Sequence, residues 1–165
     1  MAPRLKAITP ATRAYRIADS RYPLFGGQGA ALYGARWNSP GRAVIYAAET
    51  YSGALLECLA HANIGTTPRH QAWIQIEIPA GISSETVVPL ALEGWDDESF
   101  LVSRAFGDEW FDSKRSCLLY VPSVVTRVER NVLINTGHPQ FGRLSASKAQ
   151  PVSWDERLLK KTKTP

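Results

Sequence analysis

Ala43-Val44-Ile45-Tyr46-Ala47-Ala48-Glu49-Thr50-Tyr51-Ser52-Gly53-Ala54-Leu55-Leu56-Glu57-Cys58-Leu59-Ala60-His61-Ala62 carries the two clearest patterns in the chain. Its first six residues form an unbroken apolar run of strand length, which reads as a strand covered on both faces. The period then changes. Ala54, Leu55, Cys58, Leu59 and Ala62 recur at helical spacing, behind Thr50 or Ser52, either of which can cap a helix. Two residues fit this apolar setting poorly. Tyr46 lies in the middle of the strand. Glu57 sits on the helix beside the apolar stripe, with His61 four positions on along the same side.

Outward from this unit, Arg13 to Ala18 reads as a first strand. Tyr22 to Gly34, with Gly26, Gly27, Gly29 and Gly34, reads as a loop. Ser39-Pro40-Gly41 is a turn signal. Downstream, Gln71 to Pro79 alternates, with Ile74, Ile76 and Ile78 on one face and Trp73, Gln75 and Glu77 on the other. Glu85 to Val88 is a weaker strand. Asp96 to Lys114 is expected to form one or two short helices, broken near Gly107, with Phe100, Leu101, Trp110 and Phe111 inward. Cys117 to Val121 is a strand ending at Pro122-Ser123, and Val132 to Asn135 and Arg143 to Val152 are further strands. Asp155 to Lys160 reads as a last helical turn.

The strands do not alternate regularly with crossover helices, so the expected class is α+β with mostly antiparallel pairing. No linker separates domains. One domain over residues 1–165 is expected, with its core at about 14–159 and a frayed basic tail at 160–165.

Charge narrows the function. Lys and Arg number 19 against 15 Asp and Glu, yet the excess lies at the two ends. Residues 1–21 and 157–165 each net +4, whereas the body from Tyr22 to Glu156 nets −4. A groove that tracks phosphates needs Lys and Arg clustered on a formed surface, so direct nucleic-acid binding is not expected. The longest apolar run is six residues, far short of the about 18 a membrane helix needs. The N-terminus lacks the apolar core of a signal peptide, so a cytoplasmic location is expected. Cys58 and Cys117 stand far apart in apolar stretches and read as buried thiols rather than a disulfide or metal pair. His61, His70 and His138 have no metal-ligand spacing. Phosphate-loop, metalloprotease and hydrolase-elbow motifs are absent.

What remains is an ordered set of polar residues in apolar settings: Arg16, Arg36, Tyr46, Glu57 and Ser123. Gly34-Ala35-Arg36-Trp37-Asn38-Ser39-Pro40-Gly41-Arg42, then Val44-Ile45-Tyr46-Ala47-Ala48-Glu49, Ala54-Leu55-Leu56-Glu57, Leu119-Tyr120-Val121-Pro122-Ser123, and Asn131-Val132-Leu133-Ile134-Asn135 with His138-Pro139, together resemble the RES domain. That family is named for an Arg, a Glu and a Ser and supplies the toxins of bacterial RES–Xre toxin–antitoxin pairs. The resemblance runs from about Tyr15 to Leu159, and Arg-Trp-Asn-x-x-Gly with a Glu 21 positions after its Arg is the most specific part. Arg36, Glu57 and Ser123 match the naming triad, Tyr46 the site tyrosine, and Arg16 the arginine of the first strand. Asn135 and His138 fit the Asn-x-x-His-Pro region, although Thr136-Gly137 stands where the family more often has a proline.

The resemblance implies an ADP-ribosyltransferase-like fold and an enzyme that consumes NAD as substrate, without a metal. It would pass ADP-ribose to water, phosphate or a protein acceptor, and an Xre-type helix-turn-helix antitoxin would block its pocket. The residue types suit this chemistry. Cleaving the nicotinamide–ribose bond develops an oxocarbenium-like cation, which a carboxylate at Glu57 would stabilise. Arg16 and Arg36 would fork onto the pyrophosphate. Tyr46 would stack on nicotinamide. Ser123 would orient the substrate or Glu57, and His61 and Asn135 are expected beside the substrate. Nicotinamide leaves as a neutral group, so no general acid is required. Two other readings stand beside this one: a small ribonuclease-type toxin using Arg, His and Glu, and a non-catalytic binding module whose polar residues form a core network.

Overall fold

The computed structural model describes residues 6–7, 10–62 and 67–159. Residues 160–165, where the basic tail was expected, lie outside that range, as does Lys160 of the expected last helical turn. The strand that opens the decisive stretch is β3, Val44–Ala48, and the helix that follows is α2, Tyr51–His61. Thr50 is the cap, its Oγ1 accepting from the Gly53 amide at 2.9 Å.

The remaining strands are β1 (Lys6–Ala7), β2 (Thr12–Asp19), β4 (Gln71–Ile78), β5 (Ser83–Thr86), β6 (Leu118–Pro122), β7 (Arg130–Asn135), β8 (Ser145–Ala146) and β9 (Gln150–Pro151). With β3 they form one sheet in the order β1-β5-β6-β7-β3-β2-β4-β8, with β9 also on β4. Only β5–β6 is parallel, so the architecture is α+β and mostly antiparallel, as the sequence pattern implied. The expected strand at 143–152 is reduced to the two short pieces β8 and β9. The weaker strand begins earlier than expected, at Ser83, and ends at Thr86.

The sheet has a core on each face. Ile74, Ile76 and Ile78 of β4 share one cluster with Ile45, Leu118, Val132 and Ile134, strands that are not β4's neighbours in the ladder, so the sheet folds over that cluster. Trp37, Trp95 and Trp110 join Val44, Leu119, Val121 and Leu133 in the second, beneath helix α3 (Leu101–Ser113). Cys117 is buried, and burial pushes its thiol up to about 11. Cys58 is only half-buried, so of the two thiols one is a core residue and the other borders solvent.

Two helical expectations are corrected. The glycine-rich segment 22–34, expected as a loop, contains a short helix, α1 (Gln28–Tyr33). A Cβ at Gly27 would lie 2.4 Å from the Ala43 carbonyl carbon, so this glycine serves close approach of α1 to the start of β3. The second correction concerns Gly107, which does not break a helix: α3 is continuous from Leu101 to Ser113. A Cβ there would lie 1.8 Å from the Trp37 carbonyl oxygen, so the glycine lets the helix backbone sit on the Trp37 backbone. Trp110 points inward as expected, while Leu101 is 73% exposed, because it begins the helix on its outer side.

The sheet is open at one point. β2 pairs with β4 through eight residue pairs but with β3 only through Tyr15↔Ala48. Beyond that pair the two strands part. α2 packs across both.

Candidate functional site

Where β2 leaves β3, the Tyr46 carbonyl loses the partner a continuous ladder would supply. Arg16 replaces it, its Nη1 donating to the Tyr46 oxygen at 2.8 Å. The same arginine carries an unmet need. Its Nε is sealed from solvent and has no hydrogen-bond partner among the described residues. No ion pair reaches it among the described residues, and burial lowers its guanidinium to about 10, still fully charged at neutral pH. A buried cation without an anion is costly unless a ligand supplies one.

The parting of the strands opens a cavity of about 600 Å³ lined by Arg16, Arg36, Tyr46, Glu57 and His61, with Ala47, Ala48, Ala54 and Ala60 forming much of its apolar wall. A second hollow of about 500 Å³, shared through Arg16, Tyr46, Glu57 and His61, continues it toward Cys58, Arg69 and Gln71. Five of the residues singled out in the sequence are therefore brought together around one space.

Glu57 is held by neutral groups. Ser123 Oγ donates to Oε1 at 2.8 Å and Asn131 Nδ2 to the same oxygen at 2.7 Å. Among the described residues no donor pairs with Oε2. Ser123 is buried in the turn after β6, and its hydroxyl also accepts from the Thr126 amide at 3.0 Å, which fixes its rotamer. His61 stands on the exposed end of α2, Nδ1 at 2.7 Å from the Glu57 carbonyl.

Arg36 approaches from the opposite wall. Its Nη1 donates to the carbonyls of Asp97 at 2.9 Å and Trp95 at 3.3 Å, and its guanidinium lies 4.3 Å from the centre of the Phe100 ring. Burial lowers the guanidinium below its ordinary range, while the charges of Asp96 and Glu57 oppose that shift. Asp96 in turn pairs with Arg127 at 2.9 Å, tying the segment whose carbonyls hold Arg36 to the turn that carries Ser123.

Tyr46 contributes its ring rather than its hydroxyl. The hydroxyl donates to Asn38 Oδ1 at 2.7 Å and accepts from the Trp37 amide at 3.2 Å, and burial raises it above the usual phenol range. Asn38, fully buried, also donates to the carbonyls of Ala30, Ser39 and Arg42. It therefore knots α1, the arginine loop and β3 together. Ser39 anchors this loop to α3 through Asp108, at 2.8 and 2.6 Å. Asn38 and Asn131 were not singled out in the sequence, although both lie inside the quoted motifs. An Asn between Trp37 and a turn, and one beside Arg130 at a strand start, have no periodic signal to mark them.

Asn135 is not brought to this cavity. It lies at the far end of β7, where Nδ2 donates to the Phe111 carbonyl and Oδ1 accepts from the Gly137 amide, both at 2.9 Å. His138 completes the same turn, its amide donating to the Asn135 carbonyl and its Nδ1 accepting from Gln140. Asn-x-Gly-His is here a turn lock, built by local hydrogen bonds. Among the described residues no three His, Cys, Asp or Glu side chains are grouped as metal ligands, and no helix is long and apolar enough to cross a membrane.

The arrangement presents a fixed carboxylate, two guanidiniums with donors to spare, and an aromatic floor. It suits an anionic ligand with an electron-poor centre near Glu57. Comparison with known proteins identifies the family. Residues 13–155 match the RES domain. The chain is 40% identical to the "Prs ADP-ribosylating toxin" of Sphingobium sp. (strain YBL2), covering 82% of this chain and 86% of that one. It is 35% identical to a "Toxin Res" of Yersinia enterocolitica, covering 87% and 97%. A solved structure of the Mycobacterium tuberculosis MbcT–MbcA toxin–antitoxin complex contains a chain with the same fold, at a TM-score of 0.69 and 17% identity, covering 89% of this chain and 87% of that one. A match over nearly the whole length, with Arg36, Glu57 and Ser123 in one site, establishes that this chain belongs to the RES domain family.

Proposed function

We propose that the chain is the toxin of a toxin–antitoxin pair, cleaving the nicotinamide–ribose bond of NAD and passing ADP-ribose to a protein, water or phosphate. The observation that carries this reading is the Arg16 guanidinium, without an ion pair among the described residues, lining the cavity that also holds Glu57 and Arg36. A pyrophosphate would supply the missing anion, received by Arg16 from β2 and Arg36 from the loop before β3. Nicotinamide would rest against the Tyr46 ring. Glu57, oriented by Ser123, would face the ribose and stabilise positive charge as the glycosidic bond lengthens. His61, at the rim, would contact the ribose or the phosphates.

The names of the relatives support an ADP-ribosylating toxin. The neighbour's assembly with an antitoxin supports a partner of that kind, by family an Xre-type protein covering the cavity mouth in the cytoplasm. The test is incubation of purified protein with NAD, with and without phosphate and with cell lysate, followed by chromatography. Free ADP-ribose identifies water as acceptor, a phosphorylated ADP-ribose identifies phosphate, and label on protein identifies a macromolecular target. Intact NAD in all three arms contradicts the reading.

A further inference from the structure

We infer that Asn131 is a positioning residue for the reaction, acting with Ser123 as a two-donor clamp on one oxygen of Glu57. The proposal rests on the reading of Glu57 as the group facing the ribose. The geometry is specific. Ser123 directly follows β6 and Asn131 lies on the neighbouring antiparallel strand β7, paired with Val121 two residues before Ser123. Their donors reach Oε1 at 2.8 Å from the turn after β6 and 2.7 Å from β7. Asn131 itself lines the cavity, whereas Ser123 is buried behind it. With both donors on Oε1, the carboxylate cannot rotate to share them, so Oε2 stays the oxygen left for the substrate. A carboxylate on a helix surface would otherwise sample several rotamers, and a misaimed group forfeits much of its electrostatic effect. The clamp is also neutral. A Lys or Arg in place of Asn131 would neutralise Glu57 and weaken its effect on a developing cation; an amide orients the carboxylate and leaves its charge intact.

The test is a double-mutant cycle on NAD consumption with Ser123→Ala, Asn131→Leu and the double variant, alongside calorimetric NAD affinity and melting temperature. Asn131→Leu nearly preserves shape and removes the donor without adding a charge beside Glu57. The clamp predicts that kcat falls about tenfold or more in Asn131→Leu while NAD affinity stays within about threefold. It also predicts that the loss in the double variant departs from the product of the single losses by more than twofold, because both donors act on one atom. Single losses that multiply within twofold, or a loss carried by KM alone, overturn the proposal. Should Asn131→Leu not fold, Asn131→Ala takes its place in the cycle with the same criteria. A wild-type chain that leaves NAD intact overturns the NAD reading itself and the clamp with it, a result distinct from an active wild type whose cycle is multiplicative.

Discussion

Two places in this protein take charge out of water, and they do so in opposite ways. On β5, Glu85 is only 2% exposed, and Arg115 meets it with Nε at 2.9 and 3.0 Å from its two carboxylate oxygens. Arg115 then reaches Glu109 and lies over the Phe106 ring. Every charge there has its partner within the fold. In the cavity between β2 and β3, among the described residues, Glu57 is bonded only to a hydroxyl and an amide, and Arg16 has a sealed nitrogen with no partner. The carboxylate and the guanidiniums are kept apart, each with capacity left over. A completed pair serves the fold; an incomplete one waits for a ligand.

This contrast predicts different failures. The largest effect on stability belongs to Arg115→Met, which leaves Glu85 buried without its counter-ion. We expect a loss of about 3–5 kcal/mol, a fall in Tm of about 10 °C or more, with NAD turnover per folded molecule retained. A fall below about 3 °C would erase the distinction between the two regions. Glu57→Gln should do the reverse, lowering NAD turnover by at least ~10²-fold with little change in Tm, since both donors keep an oxygen to bind. Arg16→Met should weaken NAD affinity by about tenfold or more in calorimetry, while Tm in the absence of NAD falls by no more than about 3 °C, because removing an uncompensated charge offsets the lost bond to Tyr46. A large fall in Tm for Arg16→Met would mean that its role is structural, like that of Arg115. Arg36→Lys is expected to give the smallest change, about tenfold in kcat/KM, because an ammonium cannot hold the Trp95 and Asp97 carbonyls and still offer a planar fork to a phosphate.

The decisive strand and helix were legible because each buries a periodic face, and β4 because its isoleucines alternate into the core. Arg16, Arg36, Tyr46, Glu57 and Ser123 stood out as polar residues in apolar company, and the fold does collect them. What escaped depends on tertiary approach. Gly107 reads as a helix breaker in sequence and is instead a contact surface for the Trp37 backbone. α1 was hidden by the glycines that let it sit against Ala43. Asn131 and Asn135 stand four apart on one strand and look equivalent, yet one end of β7 borders the gap beside β2 and the other ends in a turn. Only strand register separates a carboxylate clamp from a turn lock.

The central claim concerns what completes the charges in the cavity, and a crystal structure of Glu57→Gln with NAD tests it most directly. A pyrophosphate oxygen is expected within about 3 Å of an Arg16 Nη nitrogen, at charge-assisted hydrogen-bond range, with the nicotinamide-bearing ribose beside residue 57. NAD bound elsewhere, or no phosphate oxygen on the Arg16 guanidinium in the complex, would contradict it.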